Sequence, residues 1–246
     1  MTLCPLLVKY AEGGLIMKYR LLLFDLDGTL FDYKKAQEHA FGHTFASIVK
    51  KEDELKTLHK LYQEINDQVW DEFQADKLTA DQLRVERFIR LLEQSQIEFD
   101  PIKVSKTYTD NLSRCSFLLD GALELVSELA DKFKLALITN GLSDVQRSRI
   151  ANSELEEYFK HVFISEEIGS PKPNPDIFDY ALSKVGSIEK KETIVIGDSI
   201  SSDILGGNNF GIDTCWFNPE NLPQPADVMP TYTVNSYEEL KVLLNV

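Results

Sequence analysis

The sequence predicts an α/β protein: a Rossmann-like parallel-sheet core with an inserted all-helical cap domain. Three observations predict it. Short uninterrupted apolar runs, bounded by turn residues, recur along the chain. From residue 120 onward these runs alternate with amphipathic segments. Between residues 34 and 116 the alternation stops, and helical patterning follows helical patterning with no convincing strand. A strand buried on both faces reads as a continuous apolar run, and strand–helix alternation implies parallel pairing.

Taken in order, residues 1–16 (MTLCPLLVKYAEGGLI) lack a basic n-region and have too short an apolar stretch for a secretory signal. They are expected to be a non-essential leader, so that a chain starting at Met17 keeps its fold and activity. YRLLLF (19–24) is the first core strand. KLALI (134–138), HVFI (161–164), TIVI (193–196) and TCWF (214–217) are the others. GALELVSELADKF and PDIFDYALSKV are helices, the latter opened by Asn174 as N-cap and Pro175 at the first helical position. A last helix starts at Ser236, with Glu239 at capping-box spacing.

In the insert, Leu58, Leu61, Ile65, Val69 and Phe73 share one helical face. Thr79 and Gln82 form a second capping box, and Val85, Phe88, Ile89 and Leu92 carry the stripe onward. Such stripes ordinarily pack as core. The domain boundaries expected are 17–33 plus 117–246 for the core and 34–116 for the helical cap.

Bulk properties exclude several functions. The net charge is −14 and the pI near 4.8. A nucleic-acid polymer is therefore excluded as partner, because phosphate backbones are bound by basic surfaces. No run of about 18 apolar residues is present, so no membrane span is expected. Three scattered cysteines, Cys4, Cys115 and Cys215, are an odd count without metal-ligand spacing, which reads as reduced thiols in a cytoplasmic protein.

Ligands of parallel α/β sheets bind outside the carboxyl ends of the strands. Asp25 follows LLLF there, Thr139 follows LALI, and Asp198 follows IVIG. Lys172, in GSPKPNP, enters from the loop after HVFI. Singly these are weak signals. A strand-end aspartate is commonly a turn residue or N-cap, a threonine a cap, and a loop lysine a solvated charge. The ordered set is specific. Asp27, two residues after Asp25, adds a like charge at the same strand mouth. Two unit charges about 4 Å apart interact by roughly 4 kcal/mol at an effective dielectric near 20, so a compensating cation is required.

The set resembles the haloacid dehalogenase (HAD) superfamily, whose marks are present as DLDGT (25–29), ITNG (138–141), Lys172 and DSISSD (198–203). The resemblance covers residues 18–246, and the helical insert is similar to the family's C1-type cap. FDLDGTLFD, TNG, SPKP, GDSISSDILGG, GIDTCWFNP and PTYTV resemble its pyrimidine 5′-nucleotidase branch. The resemblance implies a phosphatase hydrolysing small phosphomonoesters such as dUMP, dTMP or UMP. Asp25 would be the nucleophile forming an aspartyl-phosphate, and Asp27 the general acid and base. Thr139, the Asn140 amide and Lys172 would hold phosphoryl oxygens. Mg²⁺, with Mn²⁺ as a substitute, would be held by Asp25, the Asp27 backbone carbonyl and Asp198, with Asp203 supporting from behind. A monomer or weak dimer is expected.

Other chemistries use some of the same residues. A dehalogenase needs no metal and typically lacks the second aspartate. A phosphatase for a sugar phosphate or phosphoglycolate, or a phosphomutase, shares the motif set. A signalling receiver also pairs an aspartate, a threonine and a lysine, but is about half this length. There is no GxxxxGK[ST] P-loop. GGNNFG (206–211) is expected to be a loop. Substrate choice is assigned to the cap, with Asn66, Trp70, Phe73, His39 and His43 as candidates for base contacts. The histidines show no metal-ligand spacing.

Overall fold

The computed structural model describes residues 7–9, 15–75 and 77–246. They group into two compact units. One holds the described residues before Tyr33 together with Leu118–Gly141 and Ser153–Val246, and the other holds Tyr33–Phe117 and Leu142–Asn152. Among the described residues no helix is long and apolar enough to cross a membrane. The expected leader at residues 1–16 lies largely outside the described residues. Within it, β1 (Leu7–Lys9) pairs antiparallel with β2 (Leu15–Met17).

The first unit is built on a six-stranded parallel sheet of β3 (Leu21–Phe24), β4 (Lys134–Thr139), β5 (His161–Ile164), β6 (Thr193–Gly197), β7 (Asp213–Phe217) and β8 (Tyr232–Val234). The spatial order is β5-β4-β3-β6-β7-β8. Counted from β3 in chain order this is 3-2-1-4-5-6, the doubly wound arrangement, in which the chain reverses its direction of strand addition beside the first strand. The crevice so created lies between β3 and β6. Register places Phe24 opposite Leu137 on one side and Ile196 on the other, so β4 runs on to Thr139 and β6 to Gly197 beyond the end of β3.

The strand sequences explain the layering. LLLF is buried throughout, as a central strand with both faces covered must be. Leu21, Leu23, Ala136, Ile138 and Val195 pack with Ile177, Phe178, Ala181 and Val185 of α8 (Pro175–Val185). Asn174 caps that helix through the Asp176 amide, as expected. Also in this unit are α5 (Ala122–Ala130), α7 (Ser165–Ile168), α9 (Leu205–Phe210) and α10 (Tyr237–Leu244). Ser236 caps α10 through the Glu239 amide, but the Glu239 carboxylate reaches the Asn235 amide rather than closing a box on Ser236.

GGNNFG is not a loop: its first five residues lie in α9. A Cβ on Gly206 would stand 2.7 Å from the Phe178 ring, and one on Gly207 2.5 Å from Thr214 and 2.6 Å from Val195. Gly207 lets α9 approach the sheet, and Gly206 lets it approach α8.

The second unit comprises α1 (Tyr33–Phe45), α2 (Glu52–Gln74), α3 (Ala80–Ser95), α4 (Pro101–Leu112) and α6 (Ser143–Ala151). Leu58, Ile65, Val69 and Phe73 of α2 are buried and Leu61 half-buried, which matches the expected face. Thr79 and Gln82 close the expected capping box on α3. The buried face of α3 is Leu83, Arg87, Phe88, Leu91 and Leu92, whereas Val85 and Ile89 are only half-buried. An aromatic cluster of Phe41, Phe45, Tyr62, Phe88 and Tyr108 fills the centre. Helix α6, expected in the core, groups instead with this unit, because Leu142 and Val145 join the apolar cluster of Leu112 and Cys115.

Candidate active site

Backbone register brings the candidate residues to one edge of the first unit. The Asp25 amide still donates to the Ile196 carbonyl at 2.9 Å, so Asp25 continues the β3 ladder by one residue before the chain turns. The turn closes with Gly28 N–H donating to the Phe31 carbonyl at 2.9 Å, and Gly28 takes a positive φ of 84°. A side chain there is excluded twice over: an L-residue is strained at that φ, and a Cβ would lie 2.3 Å from Asp198 Oδ2. Glycine thus lets the β3 turn and the β6 aspartate share one corner.

Lys172 occupies the centre. It is almost fully buried, and its Nζ donates to Asp25 Oδ1 at 2.6 Å, to Asp203 Oδ1 at 2.7 Å and to the Ile138 carbonyl at 2.8 Å. Three acceptors satisfy its three protons. Burial works against the cation, but the Asp203 and Asp25 carboxylates outweigh it and hold the ammonium above the ordinary lysine range. The loop that carries Lys172 is clasped by Asn140: the Lys172 amide donates to Asn140 Oδ1 and Asn140 Nδ2 donates to the Lys172 carbonyl, both at 2.8 Å. Thr139, at the end of β4, is buried, and its Oγ1 accepts from the Gly141 amide at 3.3 Å.

Asp198 follows β6. Its amide donates to Thr29 Oγ1 at 3.0 Å, and the Trp216 indole donates to its carbonyl at 2.9 Å. Asp203 lies in one turn of π-helix, Ile200–Ile204, opened by Ser199. Its second oxygen accepts from the Ser199 amide at 3.1 Å. Asp27 is half-buried in the β3 turn.

Electrostatics single out this cluster. Asp25, Asp198 and Asp203 offer carboxylate oxygens within 4.8 Å of one another. Burial pushes Asp25 well above the usual carboxylate range; Lys172 opposes this, while Asp203 and Asp198 add to it. Asp198 has a solvent-facing edge but is hemmed in by protein, and burial, then the Asp203 charge, push it up to about 7, with Asp27 adding a smaller repulsion. Fully ionised, three carboxylates against one ammonium would carry a surplus of two negative charges. An all-oxygen donor set with that surplus fits a hard divalent cation.

Asp25, Lys172, Asp198 and Asp203 are therefore brought together, with Asn140 and Thr139 beside them. Sequence reasoning missed two supports. A Cβ on Gly197 would stand 2.2 Å from Asp203 Oδ2, so only glycine leaves room for that carboxylate. Trp216 was legible only as a strand residue, and its tie to the Asp198 carbonyl has no local signal.

Comparison with known proteins agrees with this geometry. The family model for haloacid dehalogenase-like hydrolases matches residues 22–217. Pyrimidine 5′-nucleotidase YjjG of Escherichia coli is 34% identical over 93% of this chain and 99% of its own. Pyrimidine 5′-nucleotidase PynA of Streptococcus pneumoniae is 34% identical over 91% and 94%. The magnesium-bound crystal structure of the HAD-hydrolase YfnB of Bacillus subtilis superposes with a TM-score of 0.86 at 35% identity, covering 93% of this chain and all of that one. The six-stranded parallel sheet, the strand-end acidic cluster and these matches identify the chain as a member of the haloacid dehalogenase-like hydrolase family.

Proposed function

We propose that the protein is a Mg²⁺-dependent phosphatase of small phosphomonoesters, and specifically a 5′-nucleotidase for pyrimidine nucleoside monophosphates (dUMP, dTMP and UMP). The observation that carries this reading is a buried Asp25 held at the mouth of β3 by Lys172, in the midst of a carboxylate surplus. The two nucleotidase relatives support the substrate class.

In this reading a carboxylate oxygen of Asp25 attacks phosphorus as the bond to the ester oxygen breaks. Asp27 gives its proton to the departing oxygen. Asp27 then takes a proton from water, the water oxygen attacks the same phosphorus, and the Asp25–phosphorus bond breaks to release phosphate. Lys172 keeps Asp25 charged and aimed, and shares its charge with the phosphoryl oxygens as they form. Thr139 and the backbone amide of Asn140 bind those oxygens. Asp25, the Asp27 carbonyl and Asp198 would hold Mg²⁺, or Mn²⁺ in its place, and Asp203 would orient Lys172. The bound cation supplies charge neutralisation for an anionic substrate in an acidic pocket.

The helical unit is assigned substrate choice. We place the protein in the cytoplasm, a reading supported by the buried free thiols of Cys115 and Cys215. A panel of UMP, dUMP, dTMP, AMP, sugar phosphates and phosphoglycolate, with Mg²⁺ and with a chelator, tests the proposal. Preferential hydrolysis of the pyrimidine nucleotides, abolished by chelation, is expected. Equal rates with chelator, or preference for a sugar phosphate, would refute it.

A further inference from the structure

Helix α10 reaches the acidic corner of the sheet. Tyr237, its first residue, donates its hydroxyl to the Thr29 carbonyl at 2.6 Å, a tie across 208 positions of sequence. Thr29 is fully buried in the turn after β3. Its Oγ1 accepts from the Asp198 amide at 3.0 Å and donates to Asp198 Oδ1 at 3.4 Å. One threonine is therefore held at its backbone by Tyr237 and holds Asp198 with its side chain.

A second route joins the same two residues. The Tyr237 ring stacks on Phe217, with centroids 4.9 Å apart and planes 8° from parallel. Phe217 ends β7, and its chain neighbour Trp216 donates to the Asp198 carbonyl at 2.9 Å. The backbone of Asp198 is thus gripped at its amide by Thr29 and at its carbonyl by Trp216. Tyr237 touches the first holder directly and the second through Phe217. Burial pushes the Tyr237 phenol above its ordinary range, so the hydroxyl stays a donor wherever the carboxylate cluster could bind a cation. A tyrosine hydroxyl on a buried carbonyl ordinarily serves stability alone. Here the carbonyl belongs to the residue that sets a carboxylate of the cation cluster. Partners behind a metal ligand commonly change metal affinity about 10–100-fold, because they decide how far the ligand must be reordered on binding.

We propose that Tyr237 is a positioning residue for the cation site: through Thr29 it fixes the Asp198 carboxylate, so that metal affinity depends on α10. The inference rests on the Mg²⁺-dependent reading of the site; the contacts themselves do not. Without the hydroxyl, the Thr29 carbonyl loses this donor and the turn is free to shift. Asp198 then samples more orientations, and the ion must select one of them on binding. The effect falls on metal affinity, whereas a purely structural bond would affect unfolding alone.

Calorimetric titration of the metal-free, full-length protein with Mg²⁺ is the direct test. Tyr237→Phe keeps the ring and removes only the hydroxyl. It is expected to raise the Mg²⁺ Kd about 3- to 10-fold, the scale of one hydrogen bond. In a Thr29→Val background, Tyr237→Phe should add little to the Kd, because the link to Asp198 is already cut. Leu244→Val, a buried change at the far end of α10, should lower the denaturant midpoint and leave the Kd unchanged. If Tyr237→Phe fails to fold, Phe217→Leu decides: it unseats the ring, spares the hydroxyl, and should also weaken Mg²⁺ binding. An unchanged Kd in the folded variant overturns the inference and leaves the metal reading standing. So does an equal rise in Kd for Leu244→Val, which would make the effect one of general stability. A wild-type protein that binds no Mg²⁺ overturns the metal reading, and the inference with it.

Discussion

The Lys172 ammonium donates to the Asp25 carboxylate across 2.6 Å, and both groups are buried at the end of β3. The same nitrogen bonds Asp203 at 2.7 Å. One cation therefore tethers the first and last acidic motifs of the chain, which stand 178 positions apart in sequence (203 − 25).

Removing that cation should be felt in stability before chemistry. Breaking a buried ion pair by deleting one partner costs about 3–5 kcal/mol, because the remaining charge is stranded. Lys172→Met is expected to lose stability of that order in urea denaturation without Mg²⁺. Added Mg²⁺ should recover more of it in the variant than in the wild type. An unchanged midpoint, or an equal Mg²⁺ response in both proteins, would contradict the charge balance described for this cluster.

Gly28→Ala tests the shared corner of β3 and β6. At a φ of 84° an L-residue costs roughly 1–2 kcal/mol, and the new Cβ would overlap Asp198 Oδ2. The variant should fold with reduced stability, need more Mg²⁺ for half-maximal activity, and lose about 10-fold or more in kcat/KM. A Mg²⁺ activation curve identical to wild type would show that Asp198 has no part in holding the ion.

Thr29 sets the Asp198 backbone. Thr29→Val keeps the shape but removes the acceptor for the Asp198 amide, now bonded at 3.0 Å. Leaving such a part-buried donor unpaired costs about 1 kcal/mol, the low end of the range for buried groups. Denaturant midpoints should fall accordingly in Thr29→Val and stay near wild type in Thr29→Ser, which retains the hydroxyl. Equal loss in both would assign the effect to the methyl group instead.

Cys215 should be inert. It is fully buried in β7, and burial pushes its thiol up to about 12. Only the thiolate alkylates, so near pH 8 the native protein should leave Cys215 unmodified by iodoacetamide, with full modification in denaturant. Peptide mass spectrometry reads this directly. Rapid native labelling would mean that β7 opens readily.

The sheet was legible because its central strands are buried on both faces. LLLF, LALI and IVI carry no polar residue, and the order of the strands puts Asp25, Thr139, Lys172 and Asp198 on one edge. β8 escaped because three residues at a sheet edge, with Thr233 exposed, offer no apolar run. Gly197 and Trp216 escaped for another reason: each acts on a neighbour by contact through space, and periodicity carries no trace of that. Arg87 is the clearest case. An arginine in a helix reads as a solvated charge, so the sequence alone draws the apolar stripe through Val85, Phe88, Ile89 and Leu92. The packed face of α3 runs instead from Leu83 through Arg87 to Leu91.

The central claim is that Asp25 itself carries the phosphoryl group during turnover. Acid quench of the Mg²⁺-loaded enzyme in the presence of UMP, followed by borohydride reduction, converts an acyl phosphate to an alcohol that peptide mass spectrometry locates. The account predicts homoserine at position 25 and no reduced residue elsewhere. Intact Asp25 in an enzyme quenched during full turnover, or reduction at another carboxylate, would contradict it.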